Sequence, residues 1–145
     1  MHAPRLFEND ESVRRIGEGL LDHSLPKAEW THEAHIAASF WLVAERPDID
    51  VDAEIAEIIS GYNVATGGVN DDANGYHDTI TRCFLAGVRA HAMLALGGTL
   101  ADRVNALLES EAGRRDWPLR FYSRERLFSV EARRGYVEPD LRPLP

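Results

Sequence analysis

The chain holds one cysteine, Cys83, so no disulfide can form within it, and a lone thiol fits a reducing compartment. Long apolar runs are missing too. No segment approaches the roughly 18 apolar residues of a membrane span, and Met1 to Asp10 has no apolar secretion-signal core. These absences lead us to expect a soluble, cytoplasmic protein. There is no surplus of basic charge: the formal charge is −8 at pH 7, which argues against nucleic acid or an anionic membrane as the main partner. No strand-like alternation, internal repeat or low-complexity tract is evident.

What is present reads as helix. Asn9 or Asp10 can cap a first helix running to about Asp22, with Val13, Ile16, Gly17 and Leu20 at helical spacing. Pro26 marks the break after it. Thr31 is placed to cap a second helix through Phe40, Trp41 and Leu42, with Glu33 in its first turn, and Pro47 sets its limit. A third helix starts near Asp50 on the stripe Val51, Ile55, Ile58, Ile59 and Tyr62. The stretch Thr66 to Gly75 is a loop by composition.

A fourth, long helix begins near Tyr76 with Ile80, Phe84, Val88, His91 and Leu94 at spacings of three and four. Gly97-Gly98 ends it, and Thr99 with Asp102 can open a fifth. Arg114 to Tyr122 is irregular around Trp117-Pro118, and Ser123 can cap a short sixth helix through Arg133, closed by Gly135. The expected fold is all-α: one domain over residues 1–145, a compact bundle of five to six helices. Residues 1–8 and the proline-containing tail 136–145 should be extended. A chain of this size buries roughly 68–70% of the surface its unfolded form exposes, so neither disulfide nor metal is needed to fold it. Its hydrophobic fraction of 44% and charged fraction of 28% are ordinary for a globular protein.

The candidate chemistry lies where helices begin. His32 and His35 are three apart and share a face that Ser39, Leu42 and Val43 continue, so that face points to the core. His77 lies on the stripe of Ile80, Thr81, Phe84 and Val88. If the second, third and fourth helices run up, down and up, the starts of the second and fourth share one end of the bundle. Tyr62-Asn63 and Tyr122-Ser123 arrive at that end, and His23 is the next candidate there. His91, fourteen residues beyond His77, lies about 21 Å along the helix and is set aside.

A helix N-terminus disfavours added positive charge, which biases imidazoles there toward the neutral form a metal ligand or general base requires. The sharp expectation is that His32, His35 and His77 form a catalytic centre or hold a divalent transition metal (zinc, iron or manganese), with Tyr122 as a proton donor. Tyr62, Asn63, Ser123, Arg124 and Arg126 would contact the ligand, a small polar or anionic molecule. The plainer reading makes them core histidines bonded to hydroxyls, needing no cofactor.

Several apparent motifs fail on spacing. His32-Glu33-x-His35 is one residue short of the zinc-protease pattern. Asn70-x-Asp72-x-Asn74-Gly75 imitates a calcium loop but begins with Asn and has Thr81 where a glutamate belongs. Gly67-Gly68 lacks the lysine and hydroxyl of a phosphate loop. Residues 114–134 carry seven arginines against Asp116, Glu125 and Glu131, a solvated face from which Arg124 or Arg126 can clamp an anion. Trp30, Trp41 and Trp117 read as packing residues, and Cys83 as a small interior hydrophobe.

Four stretches taken together carry a resemblance: Trp30-Thr31-His32-x-x-His35; Tyr76-His77-x-Thr79-x-Thr81; Tyr122-Ser123-x-x-x-Leu127-Phe128-Ser129-x-x-Ala132-Arg133; and Glu138-Pro139-Asp140-Leu141-x-Pro143-Leu144. The chain from Leu25 onward resembles a family of small, uncharacterised, all-helical bacterial proteins. The resemblance implies a single helical domain and carries no chemistry. Three functions are compatible with all this: a small cytoplasmic enzyme, a non-catalytic sensor or carrier, and a structural histidine cluster inside a homo-oligomer.

Overall fold

The computed structural model describes residues 3–94 and 97–145. Met1 and His2, part of the segment expected to be extended, lie outside the described residues. The described chain is all-helical, with five long helices, two short ones and three short 3-10 turns. The long helices are α1 (Asp10–Asp22), α2 (His32–Glu45), α3 (Val51–Ala65), α4 (Asp78–Ala92) and α5 (Leu100–Glu109). The short ones are α6 (Arg124–Leu127) and α7 (Val130–Arg134).

Each long helix starts where a side chain can accept a free first-turn N–H. Asn9 accepts from Ser12, Thr31 from Ala34 and Asp50 from Ala53. Thr99 and Asp102 form a reciprocal capping box on α5. The expected sixth helix is instead two, because Ser129 accepts the N–H of Ala132 and so starts α7 afresh after Phe128. α4 ends at Ala92, before the glycine pair expected to stop it.

α2 is the centre of the bundle. It is apolar nearly all round, burying Ala34, Ile36, Ala37, Ala38, Phe40, Trp41 and Leu42, as a helix enclosed by neighbours must be. α1, α4 and α5 pack against it. The α1 contact is close because α1 has glycine where Trp41 lies across it: a Cβ on Gly17 would sit 2.1 Å from Trp41 Cε3. α3 joins α4 through Arg82, which bonds the Asp52 carbonyl, and Arg89, which pairs with the Asp52 carboxylate. No described helix is long and apolar enough to cross a membrane.

The C-terminal segment closes over the start of α4. Tyr122, Trp117, Phe121, Leu127 and Cys83 form a separate apolar cluster. The tail lies across it, with Val137 and Gly135 bonded through Thr79 and Leu141 donating to the Phe121 carbonyl.

Candidate functional site

The first two turns of α2 and of α4 lie side by side, with residues of both lining one cavity and His32 meeting Phe84. Between them is a partly open cleft of about 290 Å³, lined by His32, His35 and Ser39 of α2, Ile80, Thr81 and Phe84 of α4, Ile59 of α3, and Arg115. Its volume is near the lower end for small-molecule sites, and its mix of apolar walls with a few polar groups is typical of them.

Both histidines are held in a defined tautomer. His35 Nδ1–H donates to the Thr31 carbonyl at 2.7 Å, one turn back in its own helix. His32 Nε2–H donates to the Gly113 carbonyl at 2.7 Å, across the bundle. A carbonyl oxygen only accepts, so in each ring the bonded nitrogen carries a proton, and in the neutral ring the other nitrogen is the one that keeps its lone pair. No described group bonds His32 Nδ1 or His35 Nε2.

The rings are also packed in place. Trp30 stacks on His35 with centroids 3.8 Å apart and is itself met edge-on by Tyr62 at 5.3 Å. His32 meets Phe84 edge-on at 5.4 Å. Burial pushes the His35 pKa down to about 4; the Thr31 carbonyl opposes this, while His32 and the Arg115 charge add to it. His35 is therefore neutral near pH 7.

Arg115 completes the cleft. It is exposed and makes no hydrogen bond or ion pair with any described residue. Its neighbours differ: Arg120 pairs with Asp116, and Arg114 lies 3.5 Å from the same carboxylate.

Of the residues expected from the sequence to converge, only His32 and His35 line this cleft. His77 is turned elsewhere. As the N-cap of α4, its extended backbone folds the ring back over its own helix, where Nδ1 accepts the N–H of Ile80. Its Nε2–H donates to the Leu127 carbonyl at 2.8 Å. Both nitrogens are committed, burial lowers its pKa, and the ring joins the α6 end to α4. The expected three-histidine centre is not assembled. Among the described residues no group of three or more His, Cys, Asp or Glu is arranged to hold a metal.

None of the other expected ligand contacts lines this cleft. Tyr122 is fully buried, and its hydroxyl donates to the Val137 carbonyl at 2.7 Å; burial raises its pKa. That hydroxyl ties down the tail and does not reach the cleft. Tyr62 is likewise buried and donates to the Leu25 carbonyl, with its pKa raised by burial. Asn63 donates to Asn70 in the loop after α3. Ser123 caps α6 and donates to Asp140, Arg126 bonds the Glu138 carbonyl, and Arg124 stands exposed on α6. His23 closes α1 in a left-handed conformation (φ 67°) and is exposed.

Sequence reasoning passed over Arg115 as one of seven arginines in a charged stretch, and it did not assign Thr81 and Phe84 to a site. The periodic stripe that carried Ile80, Thr81 and Phe84 was the available signal. Compared with family models, curated proteins and solved structures, the chain finds no match.

Proposed function

We propose that the cleft between the starts of α2 and α4 binds a small anionic molecule. Arg115 pairs with its anionic group, since a planar guanidinium suits carboxylate or phosphate. His32 and His35 meet the rest of the molecule as hydrogen-bond acceptors. The observation that carries this reading is that each imidazole spends its N–H on a main-chain carbonyl, beside a cavity that also holds an unpaired guanidinium. With a pKa of about 4, His35 is a weak proton acceptor near neutrality. It is better suited to receive a hydrogen bond than to take a proton during turnover.

The same orientation favours a second reading, a small enzyme whose His32 and His35 hold a divalent metal. Metal-ligating histidines almost always donate the second ring N–H to a carbonyl, carboxylate or water, which sets the tautomer and orients the ring. Zinc, iron or manganese bound there would supply Lewis-acid activation of a water or carbonyl.

Long-range proton–nitrogen NMR of the histidine rings in untagged protein tests both readings. Acetate, pyruvate and inorganic phosphate are titrated in one series, Zn²⁺ and Mn²⁺ in another. A saturable shift of His35 Nε2 with an anion, weakened in Arg115→Gln, supports the first. A stoichiometric metal that moves His32 Nδ1 and His35 Nε2 together supports the second. Ring signals indifferent to every probe would overturn both.

A further inference from the structure

His32 and Arg115 each belong to two walls. On one side they bound the cleft described above. On the other they bound a second, larger cleft of about 550 Å³, between the start of α2, the end of α5, the 113–116 segment and Ala3–Pro4. The two clefts are thus neighbours across one imidazole and one guanidinium, and their chemistry differs. The inner cleft has no carboxylate and is walled by Ile59, Ile80 and Phe84. The outer cleft has Glu33, Glu109 and Asp116, with Arg114 lying against Asp116.

Those three carboxylates are not equivalent. Asp116 accepts from Arg120 at 3.0 Å and lies 3.5 Å from Arg114, so its charge is already met. Glu33 and Glu109 make no hydrogen bond or ion pair with any described residue. Glu33 at the start of α2 is favoured by the helix dipole. Glu109 has no such reason, because it ends α5, where the dipole disfavours an anion. The shared residues His32 and Arg115 therefore have apolar walls on one side and, on the other, two carboxylates that pair with no described residue.

Resting on the reading that Arg115 pairs with an anion, we infer that the ligand is amphoteric and lies across both clefts. Its anionic group sits at Arg115, its apolar part enters the inner cleft, and its ammonium or guanidinium group faces Glu33 and Glu109. Amino acids and their short derivatives are the chemical class that fits. A dianion of the same size is disfavoured, since its second charge would face the Glu33 and Glu109 carboxylates.

Isothermal titration of the untagged full chain at pH 7 and low salt tests this with a matched set: 3-phenylpropionate (anion), phenylalanine (zwitterion), phenylethylamine (cation) and phenylsuccinate (dianion). The expected result is that phenylalanine binds at least about tenfold more tightly than 3-phenylpropionate, which binds more tightly than phenylsuccinate. Arg115→Gln weakens both phenylalanine and 3-phenylpropionate, while Glu33→Gln/Glu109→Gln binds these two alike. Equal affinities in the unaltered protein, or a zwitterion preference that survives in the double variant, overturn the inference and leave the anion site standing. If no member of the set binds, the anion site falls with it. Thermal denaturation of each variant identifies any that has not folded.

Discussion

Protonating His35 should destabilise the protein in a defined pH window. The ring is packed under Trp30, its Nδ1–H is committed to Thr31, and burial holds its folded pKa at about 4 against an ordinary value of 6.5. The unfolded chain therefore binds this proton more tightly than the folded one below pH 6.5, so stability is full above that pH and falls toward pH 4. At about 1.4 kcal/mol per unit, the whole window is worth roughly 3 kcal/mol, of which roughly 2 kcal/mol is lost between pH 7 and pH 5. Urea denaturation of the unaltered protein and of His35→Gln at both pH values isolates the term. The two should converge by about 2 kcal/mol on acidification, because the variant has no such proton to bind. Parallel losses in the two proteins would refute the assignment, as would an NMR titration in which the His35 ring charges with a midpoint above pH 6.

Three further outcomes follow from packing and bonding. Gly17→Ala should cost about 1–3 kcal/mol in urea denaturation, because its methyl overlaps the Trp41 ring; an unchanged midpoint would mean that α1 and α2 separate freely. His77→Ala should lower stability by roughly 1–3 kcal/mol, since it strands the Ile80 N–H and the Leu127 carbonyl. It should leave the His32 and His35 ring signals in place, and their displacement would reinstate a shared centre. Cys83, whose thiol burial pushes up to about 12, should resist a thiol reagent in the native protein and react once urea unfolds it; fast native labelling would contradict its burial.

Helix starts were legible in the sequence because a cap is a bond across three residues. Asn9, Thr31, Asp50 and Thr99 each accept an N–H from within their own first turn, so residue type and spacing suffice to find them. The His32–His35 pair was legible for a related reason: helical periodicity puts residues three apart on one face wherever the helix later packs. The break at Ser129 is also local, a serine accepting the N–H of Ala132, and the single helix expected from Ser123 to Arg133 passed over it.

Partner choice was decided by the tertiary structure. His77 begins a helix as its sequence position suggests, yet its ring bonds a carbonyl 50 residues away and so leaves the histidine pair. Tyr122 reaches the right region and is spent on the tail. Arg115 gains its meaning from a turn that brings Gly113 to His32 across 81 residues. The sequence by itself determined the elements and which residues share a face, because those follow from hydrogen bonds and periodicity within a turn or two. Which nitrogen stays free, which arginine goes unpaired and which helix starts enclose a cavity were decided only when distant segments packed. Those outcomes depend on contacts between residues whose separation along the chain carries no signal of their meeting.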